Sequence, residues 1–196
     1  MPKLILASTS PRRLSLLKQI GYTPDLIFAP EIDETPLKKE LPSALVKRLS
    51  YEKAKRAQSE HKDDIILAAD TVVARGRRVI GKPEGTEEAR AFLNFLSGHK
   101  HRTYTGVSAI YKEKVITKIS HTTVKFKRIS AEELDLYIAS RQWEGKSGAY
   151  SIQGMANMFI EYIIGSDTNV IGLNLNITYK ILSSLGLKPM VGSKST

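Results

Sequence analysis

The chain has 196 residues, with 30 Lys and Arg against 20 Asp and Glu, a formal net charge of +10 and no cysteine. That length suits one compact domain with a real core. The missing cysteine excludes disulfides and thiolate metal sites and suits a reducing cytoplasm, the expected location. No apolar stretch is long enough for a membrane span or a signal-peptide core.

The elements follow in chain order. Residues 3–7 read as a buried strand, after which Ser8 or Ser10 caps a helix with Pro11 in its first turn and Gly21 as its stop. Residues 22–29 read as a second strand, and the acidic loop "EIDETPLKKELP" leads to a long helix over 43–60. "DDIILAADTVVA" is strongly β-prone, and "RGRR" turns it into Val79 and Ile80. A helix over 86–97 closes at Gly98, and residues 103–111 and 115–127 form an antiparallel pair. Ser130 and Glu133 make a capping box for a helix to about residue 140. "GAYSIQG" and "MFIEYII" read as strands, "NLNITYKILSSLG" as a final helix, and residues 188–196 as a loose end. Helices and strands alternate, but hairpins interrupt them. This pattern predicts α/β architecture with a mixed sheet.

Four stretches can carry chemistry. In "LASTSPRRLSLLK" a strand feeds a helix start, where unpaired N–H groups and the helix dipole favour an anion. Ser8 and Ser10 add hydroxyls, and Arg12 and Arg13 add forked cations suited to phosphate. The plain alternative is a capped helix with two solvated arginines. In "AADTVV", Asp70 ends a buried apolar run, with the Thr71 hydroxyl beside it. A carboxylate there needs a partner, and it can serve as a base or metal ligand or simply cap a turn. Lys53 falls within the apolar stripe of Leu45, Val46, Leu49, Ala54 and Ala57 rather than on the polar side of its helix. It either meets an anion or snorkels at the helix edge. Lys82 sits on a tight loop, "IGKPEG", within reach of the same region. His99 and His101 straddle one residue but lack a third ligand, Asp33 and Glu34 are solvated or hold Mg²⁺, and Trp143 reads as a packing anchor. One acid, several cations and a phosphate-ready helix end suit attack on a phosphoryl centre.

In that order, "ASTSPRR", "EIDET", "KAKRAQ", "AADTVV", "GKP", "LSGHKHRTYTGV", "GAYSIQG" and "GSDTNVIGL" span nearly the whole chain. Together they resemble the Maf (septum formation inhibitor) family of nucleoside triphosphate pyrophosphatases. The resemblance implies a single domain over 1–196 with two lobes and a central cleft, similar in fold to the inosine triphosphate pyrophosphatases. It implies Mg²⁺ or Mn²⁺ and often a homodimer. The implied reaction converts a nucleoside triphosphate and water to the monophosphate and pyrophosphate. Asp70 would be the base or, with Glu34, the metal ligand, and Ser8, Arg13, Lys53 and Lys82 would hold phosphates. Arg12, Thr71 and Gln153 match the subgroup that prefers dTTP and UTP, where the 7-methyl-GTP subgroup carries Trp, Gln and Glu. A Gln amide can both donate to and accept from a uracil or thymine edge.

One departure is Asn174, where the family has Pro, and it predicts a looser helix start. Modified pyrimidine nucleotides such as 5-methyl-UTP and pseudo-UTP would fit the same pocket, which makes a house-cleaning pyrophosphatase the alternative. The alternative of another class is a basic nucleic-acid-binding protein, drawn from the +10 charge. Against it, the chain has no dense basic run, no zinc-finger spacing and no interleaved aromatics.

Overall fold

A short buried strand, β1 (Leu4–Leu6), opens the chain and leads into α1 (Pro11–Gln19). The computed structural model describes residues 2–190. After α1 come β2 (Leu26–Ile27), α2 (Pro42–Gln58), β3 (Ile65–Arg75), β4 (Arg78–Ile80) and α3 (Thr86–Leu96). The long hairpin β5 (Lys100–Tyr111) and β6 (Lys114–Phe126) follows, then α4 (Ala131–Ala139), β7 (Ile160–Ile164), α5 (Asp167–Ile171) and α6 (Leu175–Ser184). Pro begins both α1 and α2, where its missing N–H costs nothing. Ser130 and Glu133 form the expected capping box of α4.

The strands make one mixed, seven-stranded sheet in the order β2-β1-β3-β5-β6-β7, with β4 added beside β3. β1 pairs in parallel with β2 and with β3, and the rest is antiparallel. β3 organises the molecule. Along one edge it pairs continuously with β5. Along the other, β1 covers Ile65–Leu67 and β4 covers Val73–Arg75. Among the described residues, 68–72 therefore have no strand neighbour on that edge, and this gap in the sheet is where the site forms.

Strand alternation sorts the side chains of β3 between two layers. Ile66 and Ala68 pack beneath Ala54 and Ala57 of α2, while Ile65, Leu67 and Ala69 pack against Leu16 and Leu17 of α1 and Ile181 and Leu182 of α6. Gly106 of β5, directly opposite Asp70, allows α2 to lie against the sheet. A Cβ at Gly106 would come within 2.2 Å of the Val46 carbonyl oxygen. A further core, built on Leu93, Phe126, Tyr137 and Phe159, fixes α3, α4 and β7 around the far end of the hairpin.

Four expectations need correction. Residues 22–29 form a strand only at Leu26–Ile27, because the strand they pair with, β1, spans only Leu4–Leu6, and Pro24 and Pro30 lack the N–H a longer ladder needs. "GAYSIQG" is not a strand. Gly148 and Ala149 take positive φ (73° and 61°) and fold residues 147–149 into a single 3₁₀ turn. Met155–Phe159 is also a 3₁₀ turn, and the strand begins only at Ile160. Of the end expected to be loose, Met190 is tied by its N–H to the Gly21 carbonyl at 2.7 Å, while residues 191–196 lie outside the described residues.

Candidate active site

The gap beside β3 opens into a cavity of about 790 Å³. β1 and α1 bring Ser8, Arg12 and Arg13 to it, and β3 brings Asp70 and Thr71. Lys53 comes from α2, Glu34 from the acidic loop and Lys82 from the loop after β4. Gln153 is exposed on the turn beyond Ile152 and lies outside the lining.

Asp70 lies in the middle of β3 and not at a strand tip. It is 5% exposed, which is costly for a carboxylate without partners. Its partner is Lys53, whose Nζ donates to Asp70 Oδ1 at 2.6 Å and also pairs with Glu34 Oε1 at 2.8 Å. Lys53 is aimed at the sheet, as its place in the apolar stripe of α2 predicts, and the anions it meets are two carboxylates of the protein. The 2.8 Å Glu34 contact depends on the loop that carries it, and Arg48 of α2 fastens that loop. The Arg48 guanidinium donates to Glu40 through Nε (2.9 Å) and Nη2 (2.8 Å) and to the Thr35 carbonyl through Nη2 (3.1 Å). Asp33 accepts the Thr35 N–H at 2.9 Å.

Thr71 faces the opposite side of the sheet from Asp70, so the cavity wraps around the open edge of β3. Its hydroxyl lies 3.0 Å from that of Thr105, which donates to the Asn169 carbonyl at 2.9 Å. Asn169 is fully buried and ties α5 to β5 and β6 through Thr103 and Ser120. Arg13 closes this network. It donates to Gly172 O through Nε (2.9 Å), to Ser8 Oγ through Nη1 (3.1 Å) and to Thr71 Oγ1 through Nη2 (3.3 Å). Burial lowers the Arg13 guanidinium from the ordinary arginine value, with nearby Asp70 pulling the other way. The two arginines therefore differ. Arg13 braces the cavity, whereas among the described residues Arg12 has no hydrogen bond or ion pair, and nor does Lys82.

Neither serine caps α1 through its side chain. The Ser8 hydroxyl instead accepts from the Ser10 N–H and from Arg13. The helix start still faces the cavity through Ser10, Pro11 and Arg12. Asn174 overturns the expectation of a loose helix start. It is the N-cap of α6, its Oδ1 accepts the Ile177 N–H at 3.1 Å, and its carbonyl takes the Thr178 hydroxyl.

Sequence reasoning missed Lys146, which lines the cavity between Gly145 and Ser147. Burial lowers its ammonium from the ordinary lysine value, and the Arg12 charge lowers it further. His101 and His99 do not act together. His101 is buried with Nε2 2.7 Å from the Tyr150 hydroxyl, while His99 Nδ1 contacts the Ser97 carbonyl. Trp143 is a packing anchor, with Nε1–H donating to the Ile138 carbonyl.

Comparison with known proteins bears on this arrangement. Residues 3–185 match the family described as Maf-like protein. The chain belongs to the Maf family. It is 51% identical to the dTTP/UTP pyrophosphatase of Agrobacterium fabrum over 197 residues, covering 97% of this chain and 95% of that one. It is 50% identical to the dTTP/UTP pyrophosphatase of Chelativorans sp., covering 95% and 92%. In fold, it matches a HAM1 protein from Coxiella burnetii at a TM-score of 0.51 and 14% identity, covering 94% of this chain and all of that one. That likeness is one of architecture, and it agrees with the mixed-sheet α/β fold expected from the sequence. Among the described residues no helix is long and apolar enough to cross a membrane.

Maf membership brings a divalent cation into question, and the donor set fits one. Glu34 and Asp70 offer hard carboxylate oxygens that converge on one point. Mg²⁺ is commonly held by one or two carboxylates, with substrate phosphates and water completing its shell. No cluster of three or more His, Cys, Asp or Glu exists among the described residues, so a complete protein cage is absent there.

Proposed function

We propose that this Maf protein hydrolyses dTTP and UTP to the monophosphate and pyrophosphate. The observation that carries the reading is the junction of Lys53 with Asp70 and Glu34, at the open edge of β3, inside a cavity also lined by Arg12, Lys82 and Lys146. The names of its close relatives supply the substrate class.

The triphosphate lies along the cations, with its α-phosphorus facing Asp70. Asp70 takes a proton from the attacking water as the new P–O bond forms. The bond from the α-phosphorus to its bridging oxygen breaks, and the developing charge on pyrophosphate is met by Lys82. Glu34 and Asp70 would hold Mg²⁺ or Mn²⁺, which would supply Lewis-acid neutralisation of phosphate charge. Arg13 and Ser8 keep the helix start in place rather than carrying phosphate alone. Gln153 reads the pyrimidine imide edge from the turn beyond Ile152, with Arg12 between base and phosphates and Thr71 setting the floor on the other side of β3. The two lobes on either side of the cavity, a homodimer and a cytoplasmic location belong to the same reading, and they rest on Maf membership.

The test is a panel of dTTP, UTP, 5-methyl-UTP, pseudo-UTP, GTP and 7-methyl-GTP with Mg²⁺, measuring pyrophosphate against orthophosphate. Pyrophosphate release with at least about a tenfold preference for pyrimidines is expected, the scale of one or two lost hydrogen bonds. Orthophosphate as the first product would end the reading.

A further inference from the structure

The Lys53 ammonium lies 2.6 Å from one carboxylate oxygen and 2.8 Å from another, on a side chain only 9% exposed. These are the two acids that the proposed function assigns to the divalent cation, and this inference rests on that reading. The Lys53–Asp70 contact is buried on both sides, while Glu34 meets the ammonium from the solvent-facing side. α2 is pressed onto the sheet at Gly106, which fixes where the lysine emerges, and Arg48 anchors the loop that carries Glu34. An ammonium and a divalent cation cannot share the same two oxygens, because like charges at that distance repel strongly in a partly dehydrated site.

We propose that Lys53 is a resident stand-in for the metal. In the nucleotide-free protein its ammonium occupies the point between Glu34 and Asp70, and it leaves only when triphosphate oxygens offer it another anion. Lysine is suited to this exchange, since its charge sits on a flexible stem of four carbons with three freely turning donors. Metal and triphosphate therefore enter as a coupled pair. Metal alone must displace a cation that is already well placed, and triphosphate alone must draw that cation away from two carboxylates. The exchange keeps two adjacent acids paired with a cation in the resting protein and reserves the metal site for the moment substrate is present. Arg13 cannot replace Lys53 in this role, because its three nitrogens are held by Gly172, Ser8 and Thr71.

The test is calorimetric titration of Mn²⁺ into wild type, Lys53→Met and Asp70→Asn, each with and without saturating α,β-imido-dTTP, a non-hydrolysable analogue whose own Mn²⁺ binding is subtracted. Without the analogue, Lys53→Met should bind Mn²⁺ at least about tenfold more tightly than wild type, within the usual range for coupled sites. Adding the analogue should tighten Mn²⁺ binding more in wild type than in Lys53→Met, because phosphate ligation is common to both and only wild type has an ammonium to expel. If Lys53→Met binds Mn²⁺ no more tightly than wild type while Asp70→Asn loses it, the metal site stands and the stand-in is overturned. If Asp70→Asn binds Mn²⁺ as wild type does, the metal assignment under the proposed function fails instead. Should Lys53→Met not fold, the wild-type Lys53 ¹⁵N ammonium resonance decides. It should shift when Mg²⁺ and the analogue are added together, and a resonance unchanged at full occupancy overturns the exchange.

Discussion

Gly106 of β5 lies directly beneath the Val46 carbonyl of α2, so close that a Cβ would approach that oxygen to 2.2 Å and the Ser50 hydroxyl to 2.8 Å. The close approach sets the height of α2 above the sheet, and with it the distance from Lys53 to Asp70. Gly106→Ala must push the helix outward, since the nearest obstacle is backbone. The expected cost is about 1–3 kcal/mol, as for other overpacked sites. Activity should fall further than stability, because Lys53 is carried away from the acids and from the triphosphate it is to meet even where the fold survives. Thermal melts and dTTP kinetics on the same preparation check this. A variant with a lowered Tm but unchanged kcat would show that helix height does not matter to the chemistry.

Asp70→Asn keeps the shape of the buried side chain but cannot take a proton and binds a metal poorly. Single-turnover rates with dTTP should fall by about 10²–10⁴, the range for an essential general base. A loss smaller than about tenfold would remove Asp70 from that role.

Arg12 and Arg13 are adjacent in sequence and should fail differently. Arg12→Ala removes a cation that has no partner among the described residues, so KM for dTTP should rise while Tm stays within about 1 °C, as for a substitution away from structural contacts. Arg13→Ala removes one hydrogen bond each from Gly172 O, Ser8 Oγ and Thr71 Oγ1. It should cost about 1–3 kcal/mol of stability as well as activity. Equal loss of stability in the two variants would contradict the division between brace and ligand.

The sequence made the helix residue Lys53 legible because helical periodicity says which way each side chain points. Asp70 was legible as a lone carboxylate in an apolar run, but its place was not. Whether a strand stops at 70 or continues to 75 depends on which neighbours pair with it, and the partner of Asp70–Ala74 is Arg102–Gly106 of β5, distant in sequence. Lys146 was invisible for a related reason. It lies in a segment with positive φ at Gly145, Gly148 and Ala149, where no period relates position to direction. "GAYSIQG" looked like a strand because it alternates, but consecutive left-handed residues cannot join a ladder. Arg12 and Arg13 could not be told apart, since the partners of Arg13 come from residues 71 and 172.

Arg48→Met should loosen the acidic loop without touching substrate. The loop loses its bond from Arg48 to Thr35 O and the two bonds to Glu40, and keeps the internal bonds Thr35 N–H to Asp33 and Leu37 N–H to Glu40 and the Glu34 contact to Lys53. The expected signature is a higher Mg²⁺ requirement, with kcat recovering as Mg²⁺ is raised. The partly exposed ion pairs themselves contribute only about 1 kcal/mol or less to stability. Arg48→Lys should recover little, since a lysine cannot reproduce the forked contact with Glu40. An Mg²⁺ dependence identical to wild type would mean that Glu34 needs no support from the loop.

Acid stability should depend on His101. Burial pushes this imidazole down from its usual 6.5 to about 4, so it stays neutral in the folded protein at pH values where the unfolded chain protonates it. Between about 6.5 and 4 the unfolded state holds more protons, and stability must rise with pH across that window. Lowering pH from 7 to 4 therefore removes stability progressively, by a few kcal/mol at most from this group, and below about 4 its contribution stops changing. Carboxylates titrate in part of the same range, so the comparison that isolates His101 is with His101→Phe. Among the described residues the buried Nδ1 has no hydrogen-bond partner, and Phe126 and Tyr150 pack edge-on against the ring, so His101→Phe should keep the packing and cost about 1–3 kcal/mol at pH 7 for the Tyr150 hydroxyl that loses Nε2. Tm measured from pH 7 to pH 4 should fall more steeply for wild type than for His101→Phe. Parallel curves would mean that His101 does not remain neutral, or that its proton is accommodated without cost.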